Sequence, residues 1–182
     1  MILNIHGYSS SGRNSKYEFL AEEYKDRLLI SPSLDYRRES PYDILEALKK
    51  EVRSNFGKDR GSIIVGSSFG GFFAYCLCAA LKIKTILINP SLMPFINLSS
   101  SYGANEALCK EYIELFSRYV YQANLRDYEI IIGDMDDVID HSLITRAAVG
   151  PAKKFHVVEG RHDMPMTDEI KNLIRNIISS SG

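Results

Sequence analysis

Tryptophan is absent from this chain of 182 residues, and cysteine is scarce: only Cys76, Cys78 and Cys109 are present. An odd number of thiols without metal-site spacing excludes a disulfide scaffold and a zinc module. They read as reduced thiols in a cytoplasmic protein. A dominant charge sign is missing too: Lys plus Arg is 22 and Asp plus Glu is 23, a net charge of -1. With no basic excess, nucleic acid is a poor partner. Nor is there a long hydrophobic run. The longest apolar stretch unbroken by charge or serine, residues 69–81, falls short of the roughly 18 residues a membrane helix needs. The opening Met1-Ile2-Leu3-Asn4-Ile5 carries no basic segment and does not read as a signal peptide.

What remains is ordinary globular material, 45% hydrophobic and 25% charged, of a length suited to one domain. Six short runs rich in Ile, Val and Leu fall at residues 1–5, 27–30, 62–65, 85–88, 129–132 and 154–158. They do not alternate cleanly with polar residues, which is the pattern of strands covered on both faces in a parallel sheet. Helical patterns lie between them, at 15–24, 41–56, 69–81 and 168–178, with Ser40 and Pro41 forming a helix start. This alternation predicts an α/β fold with about six mostly parallel strands and helices on both faces. No repeat or interdomain linker interrupts it. Between the fourth and fifth strands, however, residues 90–103 are loop-like, and Leu108, Tyr112, Leu115, Phe116 and Tyr119 then recur at helical spacing. The interval at about 90–126 is longer than a crossover needs and reads as a small lid-like insertion beside a pocket.

The strongest chemical signal is Gly66-Ser67-Ser68-Phe69-Gly70-Gly71, a G-x-S-x-G pattern between a buried strand and an apolar helix. A serine on such a strand-to-helix turn is held out from the sheet top. The flanking Gly66 and Gly70 leave room for the turn to pack. A serine nucleophile needs a base, and the base needs a carboxylate to orient it. Of the four histidines, His162 alone lies in a loop just beyond the last strand. His6 precedes the serine, His156 sits within a strand, and His141 falls at the start of a helix that Asp140 would cap. The acid comes from Gly133-Asp134-Met135-Asp136-Asp137-Val138. Asp136 is favoured and Asp134 is second. The backbone N–H groups of Tyr8 and Phe69 are the candidate oxyanion donors, with His6 bracing the Tyr8 loop. The same loop, Gly7 to Gly12, has the spacing of a phosphate loop. Arg13-Asn14 stands where Lys-Ser/Thr is required, so nucleotide chemistry is disfavoured.

The stretches Asn4 to Ser11, Gly66 to Gly71 and Asn89-Pro90 with Pro94-Phe95 together resemble the small bacterial YqiA/YcfP-type α/β-hydrolase family, over residues 1 to about 175. The resemblance implies a compact α/β-hydrolase fold that lacks the first two strands of larger members. It also implies esterase activity on acyl esters or acyl thioesters, with Ser68 as nucleophile, Asp136 as acid and His162 as base, and neither metal nor organic cofactor. The expected partner is a small-molecule ester or thioester. The sequence leaves the oligomeric state open. A rival reading is a catalytically silent ligand-binding protein on the same fold.

Overall fold

Each of the six apolar runs becomes a strand of one parallel sheet in the structure, a computed structural model. It describes residues 1–55, 61–96, 98, 106–120, 128–145 and 155–180. The strands are β1 (Ile2–Ile5), β2 (Leu29–Ile30), β3 (Ile63–Ser67), β4 (Lys84–Ile88), β5 (Tyr128–Gly133) and β6 (Phe155–Val158). Their order across the sheet is β2-β1-β3-β4-β5-β6. β2 is shorter than the apolar run suggests, a two-residue, half-buried edge strand. β3 runs on beyond Val65, through Gly66 to Ser67. Lys154 and Phe56, at the ends of two expected elements, lie outside the described residues.

Among the described residues, long α-helices connect and cover the strands: α1 (Ser15–Glu23), α2 (Pro41–Asn55), α3 (Phe69–Leu81), α4 (Glu106–Tyr119) and α5 (Asp168–Ser179). Their starts follow capping chemistry. Asn14 accepts from Tyr17 N at the head of α1, Ser40 Oγ from Tyr42 N at α2, and Thr167 from Ile170 N at α5. Every residue of α3 from Phe69 to Ala79 is buried, which is why its sequence shows no polar face. Among the described residues no helix is long and apolar enough to cross a membrane.

Successive strand residues face opposite sides of the sheet, so two cores form. Leu3, Ile5, Ile64, Leu87 and Ile130 pack with α2, α3 and α4 around Phe72, Phe73 and Tyr112. Ile2, Ile63, Val65, Ile86 and Ile131 pack with α1 and α5 around Phe19, Ile170 and Ile174. Each such side chain contributes about 1.5–3 kcal/mol of transfer free energy on burial.

The strand order locates the site. From β1 the chain steps to β2 on one side, then crosses back over β1 to β3 on the other. The reversal opens a crevice beyond the carboxyl ends of β1 and β3, where open α/β sheets bind ligands. The segments that leave those two strands begin with His6-Gly7-Tyr8 and with Ser68.

Candidate active site

Ser68 stands at the β3–α3 junction with φ 50 and ψ -121, a backbone conformation that L-residues rarely adopt and that must be held by its surroundings. The holding groups are visible. Ser68 N donates to Ile88 O at 2.9 Å, and Ser68 O accepts from Gly71 N and from Ser91 N, both at 2.9 Å. Glycine is required at the next turn of the chain. A Cβ on Gly70 would lie 2.3 Å from Ile5 O and 2.4 Å from His6 O, so any side chain would push the start of α3 off the end of β1. At Gly66 a Cβ would meet that of Ala74 at 2.4 Å.

The serine hydroxyl lies 2.7 Å from His162 Nε2. The other ring nitrogen, Nδ1, is 2.9 and 3.0 Å from the two oxygens of Asp136. A carboxylate can only accept, so Nδ1 carries the proton and Nε2 is left to accept from Ser68. The side chain of Asp136 is 2% exposed. Burial alone would push its carboxyl up. Hydrogen bonds from His141, His162, Ile139 N and Val138 N outweigh that and hold it well below the usual carboxylate range.

Of the two carboxylates left open by the sequence, only Asp136 reaches His162. Asp134 Oδ1 instead accepts from Gly160 N at 3.1 Å, tying the loop after β5 to the loop after β6. Asp137 pairs with Arg161 at 2.6 Å. Asp140 bonds Ser142 N and Oγ, and the segment that follows it, His141–Thr145, is a π-type turn; the continuation of the expected helix lies outside the described residues.

His6 is a brace. Its Nε2 accepts from Leu34 N at 2.9 Å, which puts the ring proton on Nδ1, donated to Gly7 O at 2.7 Å. Burial lowers the His6 pKa, although the Gly7 bond opposes it, and the neutral ring suits this role. Tyr36 Oη adds a bond to His6 O at 2.6 Å. The braced loop passes close to the serine: a Cβ on Gly7 would lie 3.1 Å from that of Ser68. Tyr8 therefore follows directly beside Ser68, while Phe69 opens α3.

A cavity of about 340 Å³ adjoins Ser68 and His162. Hydroxyls and amides form one side of it, from Ser9, Ser10, Asn14 and Ser15; Tyr8, Ile88 and Met164 supply its apolar part. Lys16 also lines it, with only 7% of its surface exposed. Its Nζ donates to Met164 O at 2.8 Å and to Asp163 O, so α1 grips the loop that carries His162. Burial lowers the lysine's pKa; the nearby Asp163 opposes this. A larger open hollow of about 540 Å³ lies on the far side of Asp136, lined by Asp134, Asp137, Asp140 and His141, and reaches neither Ser68 nor His162. Among the described residues no cluster of His, Cys, Asp and Glu could hold a metal ion.

Three contributions escaped the sequence reading. Asn89, buried with φ 41, donates from Nδ2 to Arg161 O at 2.9 Å and to His162 O at 3.1 Å, and its Oδ1 accepts from Gly133 N at 2.7 Å. An asparagine at positive φ just past a strand was the available signal. Lys16 lies in a helix of mixed character, where nothing in the pattern marks it as buried. His141 was set aside as a helix start, yet its Nε2 lies 2.8 Å from Asp136 Oδ2.

This is the α/β-hydrolase fold, with the serine at its strand-to-helix turn. A structure of the metagenome-derived lipolytic enzymes LipS and LipT superposes with TM-score 0.70 at 15% identity, covering 98% of this chain and 91% of that one. Est1E from Butyrivibrio proteoclasticus gives TM-score 0.69 at 13% identity, over 98% of this chain and 88% of the other. At such identity the likeness is one of fold.

The chain belongs to UPF0227, an uncharacterised protein family whose model matches residues 1–163. Its relatives include a UPF0227 protein of Shewanella woodyi, 27% identical over 150 residues and 80% of each chain. Another, from Pectobacterium atrosepticum, is 26% identical over 147 residues and 77% of each chain.

Proposed function

We propose that the protein is a serine hydrolase that cleaves small carboxylic esters or acyl thioesters through an acyl-enzyme. The observation that carries this is the unbroken hydrogen-bond chain from Ser68 Oγ through His162 to a buried Asp136. In the reaction, Ser68 Oγ bonds to the substrate carbonyl carbon while its proton passes to His162 Nε2. Asp136 stabilises the resulting imidazolium. The carbonyl oxygen, now negative, receives the N–H groups of Tyr8 and Phe69, each worth roughly 3–4 kcal/mol in a water-excluded site. When the carbonyl re-forms, the bond to the alkoxide or thiolate breaks and the leaving group takes the proton from His162. Water then attacks the acyl-enzyme, with His162 as base again, and releases the acid and free Ser68.

The cavity supports a small substrate. About 340 Å³ is near the lower end for a ligand site, and the hydroxyl-rich side suits the polar part of the molecule. The described start of the segment after β4, residues 90–96, is proposed as the opposite wall; the rest of the expected insertion at about 90–126 lies partly outside the described residues. The segment leaves the sheet at Ser91, whose N–H bonds Ser68 O, and Met93 and Phe95 are only half-buried there. Cys76 and Cys78 are buried thiols outside any disulfide, which suits a reducing compartment such as the cytoplasm.

The test joins labelling to turnover. A fluorophosphonate probe should modify Ser68 stoichiometrically, and a panel of p-nitrophenyl esters and acyl thioesters should be hydrolysed. A protein that neither labels nor hydrolyses any of them would be a ligand-binding protein on this fold, and the proposal would fail.

A further inference from the structure

We propose that His141 is a second histidine on the Asp136 carboxylate, a positioning residue that fixes Asp136 and through it sets the pH at which His162 acts as a base. The proposal rests on the reading of Ser68, His162 and Asp136 as the reacting set.

Asp136 Oδ2 receives two imidazoles, His162 Nδ1 at 2.9 Å and His141 Nε2 at 2.8 Å. Its Oδ1 receives Val138 N and Ile139 N, each at 2.9 Å. Only one of these four donors, His162, leads to Ser68. The other three hold the carboxylate, and His141 alone among them is a side chain. The remaining ring nitrogen, His141 Nδ1, lies 2.7 Å from Thr145 Oγ1. His141 is 8% exposed and Thr145 fully buried. A neutral ring satisfies both ends, with Nε2–H donated to the carboxylate and Nδ1 accepting the threonine hydroxyl. The π-type turn His141–Thr145 brings these two residues onto one another. Turns of this kind recur at functional sites.

The chemical consequence follows from sharing one charge. A carboxylate that already accepts a strong donor from His141 stabilises a positive His162 less than a carboxylate with His162 as its sole side-chain donor. His141 thereby keeps His162 unprotonated, and able to accept from Ser68, to lower pH. Among the described residues, the charged groups around this pair have their own engagements. Asp137 and Arg161 bond each other at the surface, Asp140 bonds Ser142, and Asp134 bonds Gly160 N. Lys16 is held by the carbonyls of Asp163 and Met164, with the Asp163 carboxylate nearby. His141 does not line the cavity at Ser68, so it has no direct route to substrate.

The test compares His141→Leu, which removes the donor, with His141→Gln, whose amide N–H can occupy the Nε2 position. In His141→Leu the acid limb of the kcat/KM profile should move up by about 0.5–1 pH unit, with kcat falling and KM little changed. His141→Gln should restore the limb toward wild type. An unmoved limb in His141→Leu, or a limb equally displaced in both variants, would overturn the proposal. Wild-type protein supplies a second measurement that needs neither turnover nor a folded variant. In an imidazole NMR titration the His141 ring signals should respond at the His162 midpoint, because the two share one carboxylate; His141 signals blind to that midpoint would also overturn it. Fluorophosphonate labelling of the wild type reports on Ser68 separately, so failure of the hydrolase reading is told apart from failure of the His141 assignment.

Discussion

Asn89 holds His162 by its main chain: its side-chain amide donates to His162 O at 3.1 Å and to Arg161 O at 2.9 Å. The same side chain accepts from Gly133 N, so one residue at the end of β4 ties together the loops that carry Asp136 and His162. Asn89→Ala would leave Gly133 N and His162 O without this partner, at about 1–3 kcal/mol each, and place alanine at a φ it tolerates poorly. We expect a lower melting temperature together with a roughly 10–100-fold loss of kcat from a displaced base. Asn89→Asp keeps the acceptor for Gly133 N but sets a carboxylate against two carbonyls, and should lose turnover as well. Full kcat in both variants would mean that the loop is positioned by other contacts.

The proposed nucleophile is the sharper test. Ser68→Ala should reduce ester hydrolysis on the order of 10³–10⁶-fold with an unchanged melting curve. Ser67→Ala should cost far less, because the hydrogen bond to His162 comes from Ser68. Equal losses from the two changes would place the reactive hydroxyl elsewhere.

How far the sequence could see is clear from these same residues. The G-x-S-x-G turn, the strand alternation and the loop histidine are local patterns, and each became an element where its pattern lay. The sequence could favour Asp136 over Asp134 without excluding either, since the two residues differ by where a tight turn aims them, and only Asp136 reaches His162 in the folded chain. Asn89 and Lys16 act on segments far along the chain, Asn89 on residues 161 and 162 and Lys16 on 163 and 164, and no periodicity records a contact of that separation. His141 is near Asp136 in sequence, yet its role depends on a turn geometry that resembles an ordinary helix start.

Asp136, the proposed acid, carries a pH signature. The Asp136 carboxyl is held below the value near 4 that an unfolded aspartate has. A group lowered in the folded state adds stability that is complete above its unfolded value and is lost as the pH falls through the folded one. Asp136→Asn should therefore separate from wild type most at pH 7 in urea unfolding, and the gap should narrow below about pH 4. At neutral pH the same variant should lose on the order of 10²–10⁴-fold in turnover, because His162 Nδ1 no longer faces a carboxylate. Asp134→Asn retains the oxygen that accepts from Gly160 N and should be mild by both measures.

The last prediction concerns the segment that follows β4. Its residues divide by burial: Leu92 is 1% exposed within the core, whereas Met93 is half-buried and Phe95 packs edge-on against Phe116 at 5.6 Å. Leu92→Ala should act as a core truncation, lowering stability by about 2–5 kcal/mol and reducing hydrolysis of short and longer esters in parallel. Met93→Ala should leave an acetyl ester nearly untouched and weaken a hexanoyl ester. Each methylene that a wall removes from water contributes about 0.8 kcal/mol, and the acetyl group is too short to gain it. The quantity to measure is the ratio of kcat/KM for the two esters, beside a melting curve for each variant. A changed ratio in Met93→Ala with an unchanged ratio in Leu92→Ala assigns the acyl wall to this segment. Parallel losses in both, with both melting points lowered, would make the whole segment core and leave the acyl chain to the Tyr8, Ile88 and Met164 side of the cavity.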